Sequence, residues 1–208
     1  MSRISARHSP ARTALLYAIA ITTLIMTSAE PLLAHDQLGQ AEGFLAGLRH
    51  PVSGLDHVFA MMAVGLWGAQ LGAPALWLLP VTFPVVMAVG GFLGLVGIPL
   101  PGVEVGIAMS ALLMGMLVAS AAKPPLAVAA VVVGFFAIFH GHAHGTELPA
   151  GQSALAYSIG FVVATGALHA AGILLGVAHR WRAGRIAVQA AGVVIALGGL
   201  VFLWRVLA

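Results

Sequence analysis

The sequence predicts an all-α fold, a polytopic membrane helical bundle with about six transmembrane helices behind a secretory signal peptide. Its composition, the spacing of its turn signals and the placement of its basic residues all point this way. Hydrophobic residues make up 61% of the 208-residue chain and charged residues 7%, and the mean hydropathy is +1.04. A soluble globular domain is roughly half apolar and about a quarter charged. No soluble core of this length hides so much apolar surface, and too few charges remain to cover the outside, so lipid is the expected solvent. The pI of about 10.2 does not indicate a nucleic-acid partner. It rests on nine Lys plus Arg against six Asp plus Glu, and these bases form no continuous stripe; they read as orientation determinants. Cysteine is absent, which excludes disulfides, thiolate metal sites, iron–sulfur clusters and a lipoprotein anchor. A metal must then be held by His, Asp, Glu, Met or backbone oxygen, and nine histidines make imidazole the leading candidate.

Residues 1–34 read as the signal peptide. Arg3, Arg7 and Arg12 form a basic n-region, Thr13 to Met26 an apolar stretch of about 14 residues, and Ser28, Ala29 and Ala34 supply small residues for cleavage after Ala34 or Ala29. That stretch is short for a membrane span, which needs about 20 residues. The mature chain is expected to begin near His35, outside the cytoplasm, and residues 35–208 to form one transmembrane domain. Its expected spans are Pro51–Leu71, Leu76–Val96, Val103–Ala122, Leu126–His142, Ser153–Gly176 and Ile186–Leu207. Gly72-Ala73-Pro74, Pro99-Leu100-Pro101-Gly102, Lys123-Pro124-Pro125, the stretch Gly145 to Gly151 and the basic run Arg180 to Arg185 separate them. With the mature N-terminus in the periplasm of a bacterial inner membrane, the cytoplasmic connections carry Lys123, Arg180, Arg182 and Arg185, while the outer side has Arg49 and Arg205. This is the asymmetry of the positive-inside rule, and it agrees with the signal peptide.

On that topology the remaining ionisable groups gather in the outer half of the membrane or at its outer surface. His50, Asp56 and His57 are expected at the outer end of the first helix, Glu104 at the start of the third, and His140, His142, His144 and Glu147 where the fourth emerges. His169 lies inside the fifth. Ionisable side chains at such depth are costly and usually face a cavity or pathway. His50 and His57, seven residues apart, fall on nearly the same helical face, and Met61 extends it one turn inward. Asp56 can accept the second ring proton of His57 or bind metal directly. Gly141 and Gly145 suggest that the helix breaks between the histidines, letting backbone line a polar cavity. Each residue also has a plain structural reading. His50-Pro51 suits a helix start, His142 and His144 suit a solvated loop, Glu104 suits a helix N-terminal dipole, and Met109, Met114 and Met116 suit packing. His179 belongs to the basic interface. His169, in Ala167-Leu168-His169-Ala170-Ala171-Gly172, has no interfacial explanation.

These stretches carry a family resemblance. His50-Pro51-Val52-Ser53-Gly54-Leu55-Asp56-His57, followed by Met61 and Val64-Gly65-Leu66-Trp67, resembles the signature of the HupE/UreJ hydrogenase/urease accessory membrane proteins. Phe139-His140-Gly141-His142-Ala143-His144-Gly145-Thr146-Glu147 resembles that family's second signature, and the segment around His169 a third. The resemblance covers essentially the whole mature chain. It implies a signal peptide, six helices and secondary nickel uptake that feeds the maturation proteins of hydrogenase or urease. The His-x5-Asp-His spacing is one residue longer than the His-x4-Asp-His of nickel/cobalt transporters, so the relation to those is functional analogy.

The expected function is therefore a secondary permease, not an enzyme, that carries a divalent transition metal from periplasm to cytoplasm. Expected ligands are His50, Asp56, His57, His140, His144 and His169, with His35, Met61, Glu104, His142 and Glu147 as further ligands or supporting residues. Nothing is expected to be bound permanently; the cargo is Ni2+, with Co2+, Zn2+ and Fe2+ as alternatives, since imidazole suits several of these ions. There is no Walker motif, so the driving force is expected to be the membrane potential and cytoplasmic trapping, or proton coupling through the histidines. Two other classes remain: a metal-binding sensor or accessory protein that does not transport, and an intramembrane zinc hydrolase, which the lack of a His-Glu-x-x-His motif disfavours.

Overall fold

The computed structural model describes residues 43–147 and 153–208, and the regular structure among them is entirely helical. The proposed signal peptide and His35 lie outside the described residues. Helices α1 (Gly43–Ser53) and α2 (Leu55–Leu71) are followed by α3 (Ala75–Leu95), α4 (Val103–Ser120), α5 (Leu126–Thr146) and α6 (Ala154–Gly176). A 3-10 turn at Val177–Arg180 leads into α7 (Arg182–Leu207). Helices α3 to α7 are each long and apolar enough to cross a bilayer, and α1 with α2 make a sixth candidate span bent by 80°.

The first span departs from expectation. It starts a full helix earlier than Pro51, and Pro51 lies in the last turn of α1 rather than at a helix start. Gly43 and Gly47 of α1 pack on Ser153 and Tyr157 of α6, and Gly65 of α2 packs on His169 and Ile173 of the same helix. Both halves thus advance in one direction along α6. They read as one broken span, with the break at Gly54.

Glycine sets the remaining contacts. Helices α3 and α5 run parallel with their backbones touching, Gly90 against Ile138, Gly94 against His142, and Gly141 and Gly145 against Met87 and Gly91. Helices α4 and α7 run antiparallel, joined where Gly115, Gly192 and Gly199 meet the opposite backbone. In lipid there is little hydrophobic drive between helices, so close packing over small residues holds the bundle together. The expected break at Gly141 and Gly145 is therefore not found. The helix continues to Thr146, and these glycines admit a neighbouring helix instead of ending their own.

Helix α2 runs through the middle, buried almost continuously from Phe59 to Gln70. Its C-terminal end is tied to the end of α4: Trp67 Nε1 donates to the Ala122 carbonyl at 2.9 Å and Gln70 Nε2 to the Val118 carbonyl at 3.0 Å. Gln189 of α7 donates to the Ala119 carbonyl at 3.0 Å. These bonds fall on carbonyls at and just beyond the C-terminal end of α4, where helical partners run out. The alternating helix directions put Lys123, Arg180, Arg182 and Arg185 at one end of the bundle and Glu104 and Glu147 at the other.

Replacing Gly141 by Val forces a side chain into the Met87 backbone. Overpacking of this kind costs about 1–3 kcal/mol, so the melting temperature of the purified protein should drop by several degrees. Gly166→Ala, whose new methyl meets nothing within 4 Å, should leave it unchanged.

Candidate metal centre

The break at Gly54 assembles the polar site. His50 ends α1, while Asp56 and His57 open α2, so the two histidines reach each other across a bend and not along one helical face. Their rings lie 5.8 Å apart, centroid to centroid. His144, in the last turn of α5, completes the group: its ring centroid is 4.6 Å from that of His50 and 4.7 Å from that of His57. One nitrogen from each of His50, His57 and His144 lies within 4.8 Å of the other two. That spread is compatible with three imidazoles closing on one ion.

Asp56 sets the chemistry of His57. One of its oxygens, Oδ1, accepts from the backbone N–H of His57 and from His57 Nδ1, both at 2.9 Å. A carboxylate can only accept, so Nδ1 carries the proton and Nε2 presents a lone pair. This is the carboxylate–histidine arrangement that orients metal-binding imidazoles and raises their basicity. The lone pair faces His144 Nε2 at 3.0 Å. Without a cation His144 donates this bond, which leaves its buried Nδ1 unpartnered. A cation placed here could take both Nε2 lone pairs if the proton of His144 moved to Nδ1. Just past the end of α5, Glu147 Oε2 stands 3.6 Å from His50 Nε2.

Helix ends reinforce this preference for positive charge. His50 and His144 both sit in the last turns of their helices, where the exposed carbonyls carry roughly half a negative charge. Two C-terminal ends thus converge on the group. The opposing N-terminus of α2 carries Asp56 in its first turn, which answers its positive dipole.

The other expected residues divide. His140 is fully buried one turn before His144, with its ring 5.2 Å from that of His57. It adjoins the triad without joining it. His169 is buried deeper and faces Phe83. His142 does not reach the site. It is buried within α5, not in a loop, and its Nε2 donates to the Ile98 carbonyl at 2.7 Å, fixing the α3–α4 turn. Met61 packs in the hydrophobic core. Glu104 lines a neighbouring recess of about 150 Å³ with Asp56 and Arg205. His179 donates through Nδ1 to the Gly176 carbonyl at 2.8 Å, at the basic end.

Two residues not anticipated from the sequence are Tyr157 and Phe161, which stack against His50 at 6.0 and 6.1 Å; Phe161 also approaches the His144 ring at 4.1 Å. Their spacing of four on one face of an expected helix was the available signal. A groove of about 250 Å³ between α3, α5 and α6 passes Met87, Gly91, Tyr157 and Phe161 to reach His144.

The histidines that meet come from the two motifs that carry the resemblance, and the whole-chain comparison agrees. A family model described as HupE / UreJ protein matches residues 23–202. The chain belongs to the HupE/UreJ family. It is 48% identical over 184 residues to Protein HupE of Rhizobium leguminosarum bv. viciae, covering 88% of this chain and 96% of that relative. No solved structure matches it. In this HupE/UreJ chain the first motif supplies His50, Asp56 and His57, and the second supplies His144 and, beside it, His140.

Loss of a carboxylate that orients a ligating histidine typically weakens metal affinity about 10- to 100-fold. Asp56→Asn should weaken Ni2+ binding to the purified protein by that factor in calorimetric titration. Gly54→Ala should move the same way, because its methyl would stand 2.6 Å from Asp56 Oδ1.

Proposed function

We propose that this protein is a secondary permease that takes a divalent transition metal, nickel in the first place, from the periplasm across the bacterial inner membrane to the cytoplasm. The observation that carries the reading is the triad of half-buried His50 with buried His57 and His144 at the meeting of two helix C-termini. His57 Nε2 and His144 Nε2 face each other at 3.0 Å, and both lone pairs become available to a cation when the proton of His144 moves to Nδ1.

The triad lies at the end of the bundle opposite Lys123, Arg180, Arg182 and Arg185. By the positive-inside rule that basic end is cytoplasmic, which places the triad toward the periplasm. The membrane potential then acts inward on the cargo. At about 2.3 kcal/mol per unit charge and 100 mV, a dication gains nearly 5 kcal/mol per 100 mV of inside-negative potential, enough to concentrate it without nucleotide hydrolysis. Imidazole and carboxylate donors suit nickel, cobalt, zinc and iron alike; the choice of nickel, and delivery to hydrogenase or urease maturation, follow from the resemblance to the HupE/UreJ family.

The direct test is uptake of radioactive nickel by cells that lack their own nickel transporters. Expression should raise accumulation well above background. His57→Ala and His144→Ala should reduce it to background, while Co2+, Zn2+ and Fe2+ added as competitors rank the cargo. If cells gain no nickel while the purified protein binds it, the protein is a metal-binding accessory component and not a permease.

A further inference from the structure

Beyond the triad, toward the basic end, stands a second group of polar atoms. His140 Nδ1 donates to the Phe136 carbonyl at 3.0 Å, so its Nε2 holds a lone pair, and that atom is buried without a partner. The ring of Phe83 meets His140 edge-on at 5.4 Å and meets His169 the same way, also at 5.4 Å. Phe83 therefore touches both imidazoles. Both nitrogens of His169 and the hydroxyl of Thr165, one turn earlier on α6, are buried without partners.

An oxygen donor adjoins them. Pro84 lies inside α3 and has no N–H, so the carbonyl of Pro80, four residues earlier, loses its helical partner. That carbonyl faces His169, yet neither ring nitrogen completes a well-formed bond to it. Freed carbonyls of interrupted membrane helices are recurrent cation ligands in transporters.

We propose that His169, Thr165 and the freed Pro80 carbonyl form a second, inner resting site for the transported cation, closed off from His140 and the outer triad by the ring of Phe83. The proposal rests on the permease reading. One imidazole with two neutral oxygens binds a transition dication more weakly than three imidazoles beside a carboxylate. A descending order of affinity suits transit, because an ion must be held well enough to shed water and loosely enough to leave. Phe83 lies between Pro80 and Pro84, where the hydrogen-bond ladder of α3 is interrupted, so fewer backbone bonds hold the segment that carries the ring.

The test removes the outer site and looks for the inner one. Full-length protein with His50→Ala and His144→Ala, purified in detergent, is titrated with Ni2+ alone. It should still bind one ion per chain, at least tenfold more weakly than wild type. Adding His169→Gln, which keeps a polar side chain of similar size, should abolish that binding while the melting temperature stays unchanged. Adding Phe83→Ala instead should speed Ni2+ association in stopped flow at least tenfold. No residual ion, or a residual ion indifferent to His169, overturns the inner site; an unchanged association rate overturns the gate. Failure of the permease reading is separate: wild-type cells would then take up no nickel even where His169-dependent binding is found.

Discussion

Inside a bilayer there is no water to receive a stray N–H or C=O, so every interruption of a helix has to be satisfied by protein. The break between Ser53 and Leu55 meets this requirement with its own side chains. Ser53 Oγ donates back to the His50 carbonyl at 2.8 Å, and Asp56 accepts the N–H of His57 in the first turn of α2. The same carboxylate that finishes the helix end also holds His57 by its ring nitrogen. Structure and chemistry share that one group. Without the bend, His50 and His57 could not approach His144 from two directions.

The glycines make the second half of the arrangement. Helix α5 must come close enough to offer His140 and His144 to α2, and it is braced there by α3 through Gly90, Gly91, Gly94, Gly141 and Gly145. On the other side α6 carries both halves of the broken span, with Tyr157 and Phe161 walling off His50. Packing therefore fixes the rings from three sides, while the groove between α3, α5 and α6 leaves an approach to His144.

Much of this was legible in the sequence, and the misreadings have physical causes. Span number, order and alternation follow from hydropathy and turn residues, because lipid punishes departures from them. The motif at His50 and the one at His140 could be read as candidate ligands from residue type alone, and the structure brings His50, His57 and His144 of them together. What failed was geometry. A glycine serves equally to end a helix or to admit a neighbour, and only the neighbour distinguishes them; hence the break expected at Gly141 fell instead at Gly54. His142 and His144 share a face if extended but point about 200° apart on a helix at 3.6 residues per turn, so one reached the site and the other the Ile98 carbonyl. The orphaned Pro80 carbonyl was foreseeable from Pro84, but its meaning needed the position of His169.

The account stands on three imidazoles closing on one ion across the bend at Gly54. X-ray absorption on the purified, nickel-loaded protein counts them directly through the outer-shell scattering of the rings. A nitrogen and oxygen shell with three imidazoles from His50, His57 and His144, falling to two in His144→Ala, is the expected result. A sulfur ligand from methionine, or an imidazole count unmoved by His144→Ala, would contradict it.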